Sequence, residues 1–93
     1  MDIQHEESEH RGSFFVEAEG KRLAILTYTK AGHGRIIIDH TEVSEEMKGK
    51  NVGKQLVAAS VDFARKNKIK ILPLCPFARS VFDRVKEYGD VLD

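Results

Sequence analysis

Three short segments hold residue types whose spacing suits chemistry. The first is Met47-Lys-Gly-Lys-Asn-Val-Gly-Lys54, placed where a helix should begin. A helix start presents unpaired backbone N–H groups and a partial positive charge. Gly49 and Gly53 allow a phosphate to approach the backbone, and Asn51 tolerates a left-handed conformation. Lys48, Lys50 and Lys54 add positive charge, which completes a possible pyrophosphate cradle. The spacing is neither G-x-x-x-x-G-K-[ST] nor G-x-G-x-x-G. A glycine-containing turn with a solvated lysine face accounts for the same residues equally well.

The second segment is Pro73-Leu-Cys-Pro-Phe77. With Pro76 suited to the first position of a helix, Cys75 falls at or beside the N-cap, where the dipole and free amides favour a thiolate. A small buried residue is the commoner fate of an unpaired cysteine. The third segment is Ile38-Asp-His-Thr-Glu-Val43. Strict alternation puts Ile36, Ile38, His40 and Glu42 on one strand face, and Ile37, Asp39, Thr41 and Val43 on the other. His40 and Glu42 could then act as general base and polar anchor, although a strand end meeting solvent looks the same. The cluster His5-Glu-Glu-Ser-Glu-His10 has metal-ligand residue types without a matching spacing, and no metal is expected.

The elements that must position these segments are set by periodicity. Residues 1–10 are polar and acidic and read as a flexible tail; residues 11–93 read as one domain. Phe14 to Glu19, Leu23 to Tyr28 and Arg35 to Val43 read as a three-stranded antiparallel meander. Val52, Leu56, Ala59, Ser60 and Phe63 recur at helical spacing, with Lys54, Gln55, Asp62 and Lys66 on the opposite face. Asn67-Lys68 ends that helix, and Ile69 to Leu74 is a short buried strand. A right-handed crossover makes the strands ending at Val43 and Leu74 parallel neighbours or near-neighbours. A last helix starts at Pro76, carries Phe77, Val81, Phe82 and Val85, and stops at Gly89, with Val91-Leu92 as a possible closing edge. The fold class is α/β, in the mixed α+β sense.

Composition narrows the function classes. Fifteen basic residues balance fifteen acidic ones in 93 residues, so bulk attraction for nucleic acid or anionic membrane is absent. No segment approaches the apolar length of a membrane span, and a single cysteine fits a reducing cytoplasm. The start of the chain has no signal-peptide pattern. The expectation is a small cytoplasmic domain, monomeric or weakly dimeric.

Taken in order, Gly20-Lys-x-Leu, the D-H-T-E-V strand, the glycine turn and the L-C-P-F segment resemble the small GNAT-like N-acetyltransferase family, a reduced GNAT fold. The resemblance covers nearly all of the chain after residue 10. Larger GNAT proteins bind acetyl-CoA through Q/R-x-x-G-x-G/A; the matching positions here read Lys48-Gly-Lys-Asn-Val-Gly53, with lysine first and Asn51 at the first signature glycine. The resemblance implies that the strands ending at Val43 and Leu74 splay apart. It implies cofactor contacts over Val43, Lys48, Gly49, Lys50, Asn51, Val52, Gly53 and Lys54, with the thioester near His40 and Cys75. Acetyl-CoA is the implied cosubstrate and an amine the acceptor. Either the amine attacks directly, its proton passing to His40 or Glu42 through water, or Cys75 carries the acetyl group first. The rival class is a non-catalytic module that binds CoA or acyl-CoA.

Overall fold

Five segments form one sheet in the order β1-β2-β3-β4-β5, with buried positions recurring at every second residue along the third. The computed structural model describes residues 2–93. The strands are β1 (Gln4–Glu7), β2 (Arg11–Ala18), β3 (Lys21–Lys30), β4 (Arg35–Val43) and β5 (Lys70–Pro73). The first four are antiparallel, whereas β5 runs parallel to β4 and is reached through α1 (Val52–Asn67). Helix α2 (Pro76–Arg84) follows, then a 3-10 turn over Lys86–Asp90. Leu92 bridges Ile71 on the free side of β5, the closing edge expected of Val91-Leu92. The mixed α/β arrangement, with its antiparallel meander and parallel β4 and β5, matches the sequence expectation.

Both helices lie against one sheet face. Leu56, Val57 and Val61 of α1 and Ala78, Val81 and Phe82 of α2 share a core with Phe14, Leu26, Tyr28, Ile36 and Ile38. Burying each large aliphatic side chain contributes roughly 1.5–3 kcal/mol. The α1 stripe is Val52, Leu56, Val57, Ser60, Val61 and Ala64, rotated from the expected one; Ala59 and Phe63 fall at its margin. Helix α2 ends at Arg84 instead of continuing to Gly89. Beyond it, Arg65 of α1 holds both Asp90 Oδ1 at 2.9 Å and the Glu87 carbonyl at 2.8 Å, which fastens the 3-10 turn.

The N-terminal segment is a fourth antiparallel strand, not a flexible lead-in. Its residues are polar, but the His5 ring stacks on Phe14 at 4.1 Å and meets Phe63 edge-on at 4.7 Å. His5 Nε2 also lies 2.7 Å from the buried Tyr28 hydroxyl, and Lys30 pairs with Glu7. One aromatic ring and a ladder to β2 therefore replace the apolar content that the segment lacks.

Two features of β4 decide the geometry at its C-terminal end. Tyr28 pairs with Ile38 and Thr27 with His40, so Asp39 is an extra residue, a β-bulge. Secondly, pairing with β5 ends at Ile38 and Pro73, after which the Ile38 carbonyl accepts from both the Leu74 and Cys75 amides at 3.2 Å. Beyond that point β4 pairs only with β3, which opens a gap beside β5.

Candidate functional site

The bulge reassigns the end of β4. Cross-strand partners point the same way, and Leu26 and Ala24, both core residues, pair with Thr41 and Val43. Thr41 and Val43 therefore face the helices together with Ile36 and Ile38. His40 and Glu42 pair with Thr27 and Ile25 and face the opposite side. Strict alternation places them the other way round. One additional residue shifts the phase of a period-two pattern, so every side chain beyond it changes face.

On the helix side, the approach to α1 is built from unusual backbone. Gly49 has φ +84°, and Asn51, the N-cap, sits in the left-handed region at φ 59° and ψ 26°. Asparagine is among the few residues that adopt this conformation readily. The first α1 hydrogen bond runs from the Gln55 amide to the Asn51 carbonyl at 3.1 Å. The amides of Val52, Gly53 and Lys54 thus have no intrahelical acceptor. Gly53 is required for another reason: a Cβ there would lie 2.7 Å from Phe77 Cζ. Its absence lets α1 and α2 approach closely.

Between these elements lies a pocket of about 310 Å³, lined by Thr41, Val43, Met47, Lys48, Gly49, Asn51, Val52, Gly53, Lys54 and Phe77. Seven of the eight expected cofactor residues are brought together there: Val43, Lys48, Gly49, Asn51, Val52, Gly53 and Lys54. Lys50 lies outside the wall. Lys48 is tied to Glu45 at 2.9 Å, whereas Lys54 has no ion pair among the described residues. Thr41, Met47 and Phe77 join the wall without a sequence signal of their own. The bulge hides Thr41, while Phe77 reads as part of a helix stripe. The lining combines free amides and a lysine with apolar side chains. Backbone donors and positive charge suit an anionic group, and the apolar side chains suit hydrocarbon.

Cys75 is the N-cap of α2, with Pro76 at the helix start as expected. It is 6% exposed and lies directly behind the pocket wall, its Sγ 3.4 Å from Thr41 Oγ1. Burial pushes the thiol up, but hydrogen bonds from the Thr41 hydroxyl and from the backbone of Ala78, Phe77 and Thr41 outweigh it. The net result is a thiol below its ordinary value. His40 and Glu42, 3.8 Å apart and 62% and 74% exposed, lie across the sheet from this thiol. No cluster of three or more metal-ligating side chains occurs among the described residues. No helix is long and apolar enough to cross a membrane.

Residues 13–91 match the family model described as GCN5-related N-acetyl-transferase. The chain belongs to the GCN5-related N-acetyltransferase family. No curated protein matches the sequence. Among solved structures, it is similar to a candidate GCN5-like N-acetyltransferase from Staphylococcus aureus determined by NMR. The two share 36% identity and a TM-score of 0.76, over 99% of this chain and 87% of that one. The fold is also that of a ribosomal-protein-alanine N-acetyltransferase from Brucella melitensis biovar Abortus, at 15% identity and a TM-score of 0.70. That match covers 84% of this chain but 62% of the larger protein. An aminoglycoside N-acetyltransferase in complex with CoA shares it too, at 13% identity and a TM-score of 0.63, covering 89% and 88% of the two chains. The splayed β4 and β5 and the pocket at the α1 start therefore sit in a fold that occurs with CoA bound in another protein.

Proposed function

We propose that the protein is an acetyl-CoA-dependent N-acetyltransferase whose donor binds on the helix side of the sheet and whose acceptor amine arrives from the other side. The observation that carries this reading is the pocket running from the free amides of α1 to Thr41, with Cys75 behind it. Val52, Gly53 and Lys54 would hold phosphate oxygens through backbone N–H groups, assisted by the Lys54 ammonium. Val43, Met47 and Phe77 would line the apolar arm. Bound acetyl-CoA supplies an acetyl group activated as a thioester.

The protein's own groups then account for transfer. The Cys75 thiolate attacks the acetyl carbon; a new C–S bond forms, the donor C–S bond breaks, and the released thiolate takes a proton from solvent. An amine then attacks the acetyl group on Cys75. The C–N bond forms, the Cys75 C–S bond breaks, and the thiolate returns to its hydrogen bonds with Thr41 and the α2 amides. His40 or Glu42, on the acceptor side, passes the amine proton to water. Direct attack by the amine on the donor uses the same proton acceptors and leaves Cys75 as a bystander.

A CoA-binding module without turnover is the second reading, and the burial of Cys75 favours it. Intact mass after incubation with acetyl-CoA, for wild type and Cys75→Ala, separates the routes. An acetyl adduct on the wild type that vanishes in the variant is the expected result. Activity that survives Cys75→Ala without any adduct would establish direct transfer. Binding of CoA with no thiol release in the presence of any amine would establish the module.

A further inference from the structure

The side of the sheet away from the helices carries the material for acceptor recognition. Both helices direct their buried side chains into the core on the other face. Along β5, Ile71, Pro73 and the following Cys75 are buried, so Leu72 and Leu74 turn to the uncovered face. Leu74 is 61% exposed, the one large apolar side chain so exposed among the described residues. Ile37 pairs with Leu72 across β4 and β5, and both are half-buried. Together they form an apolar strip that ends beside the gap between the two strands.

Carboxylates border this strip. The Leu74 amide bonds the Ile38 carbonyl, which sets Leu74 next to Asp39. Asp39 shares the face of Ile37, since the bulge changes the phase only beyond it, and its Oδ2 accepts from the Thr29 hydroxyl at 2.9 Å. Glu42 comes next on the same face, 3.8 Å from His40. Among the described residues no lysine or arginine pairs with Asp39 or Glu42. On this face Arg22 is engaged by Glu6 at 2.8 Å and lies over the Phe15 ring at 3.9 Å, and Arg11, opposite Thr29 on β2, makes no ion pair with either carboxylate. Two carboxylates without a lysine or arginine partner, beside exposed hydrocarbon, complement a cation attached to an apolar body. A sugar-like amine would leave Leu74 against hydroxyl groups.

We propose that the acceptor is a primary amine on an apolar body, with its hydrocarbon against Leu74, Leu72 and Ile37 and its ammonium drawn by Asp39 and Glu42. This rests on the acetyltransferase reading and adds a substrate class to it. Leu74 and Asp39 are specificity-determining residues.

The test compares initial rates of thiol release from acetyl-CoA with hexylamine and with 2-(2-aminoethoxy)ethanol, a polar amine of similar length. The expected kcat/KM ratio favours hexylamine by about tenfold, the scale set by apolar contacts in a binding site. Leu74→Ser should bring that ratio toward one. Asp39→Asn should lower kcat/KM for both amines, more so at low salt. A wild-type ratio near one, or a ratio that Leu74→Ser leaves intact, overturns the inference while the acetyltransferase reading stands. Turnover of neither amine, with CoA still bound, overturns both. A wild-type dimer in sedimentation that Leu74→Ser dissolves overturns the inference as well, because a second copy would then occupy this face.

Discussion

Replacing Gly53 by alanine tests whether the helix contact holds the pocket open. The added Cβ would lie 2.7 Å from Phe77 Cζ and 2.8 Å from Cε2, closer than carbon atoms approach without displacement. Phe77 also lines the pocket, so its ring must turn or the start of α1 must move. Overpacking of this kind costs about 1–3 kcal/mol. Alanine recovers at most about 1 kcal/mol of helix propensity, and less in the first turn. The net expectation is a loss of about 1–2 kcal/mol. With a urea m-value near 1 kcal/mol per molar, the midpoint falls by roughly 1–2 M. CoA affinity, measured by calorimetry, should fall by about tenfold or more, because the displaced ring or helix narrows the cavity. Leucine has no atoms where the Phe77 ring tip lies, so adding Phe77→Leu should restore part of both losses, and a double-mutant cycle should show coupling between the sites. A Gly53→Ala protein as stable as wild type, with CoA affinity within about twofold, would refute the role assigned to this contact.

Hydrogen bonds and burial lead to three further outcomes. Iodoacetamide should alkylate Cys75 with a pH midpoint below that of an ordinary thiol, and Thr41→Val should move the midpoint up, because it removes a donor to the thiolate. Burial, with Glu7 nearby, pushes the Tyr28 phenol up to about 12 from an ordinary 10.0. Its neutral form is favoured in the fold, so that stabilisation is complete below pH 10 and is lost between pH 10 and about 12. Tyr28→Phe should flatten the decline in stability over that window, read from urea midpoints at each pH. His5→Ala removes the stack on Phe14 and the bond to Tyr28, and should cost about 1–2 kcal/mol in urea unfolding.

Much of the fold is legible in the sequence because its signals are local. The β-branched run Ile36-Ile-Ile38, the helical recurrence from Val52 onward and Pro76 at a helix start each depend on one short segment. The stretch that lines the pocket at the α1 start is legible for the same reason: glycines, asparagine and lysines at a helix start are backbone and charge features read directly from residue type. Three features are not legible, and each depends on a partner distant in sequence. Gln4–Glu7 looks too polar to order, yet His5 finds Phe14, Tyr28 and Phe63. The place of Phe77 depends on Gly53 from another helix. The bulge at Asp39 leaves no mark on residue type, so strict alternation reverses the faces of His40, Thr41, Glu42 and Val43.

That bulge has a consequence for mutational tolerance. Asp39 is exposed and bonded only to Thr29, so most substitutions there should leave the fold intact. Deletion should be tolerated too: with Asp39 gone, Ile38 and His40 become consecutive, and plain alternation keeps Thr41 and Val43 facing the helices and His40 and Glu42 on the other side. The damaging change is the opposite one. A strand that kept Asp39 but paired it in register would drive His40 and Glu42 into the core and turn Thr41 and Val43 out to solvent, dismantling the pocket wall beside Cys75. What the fold constrains is the phase of the residues after position 39, not the side chain at it.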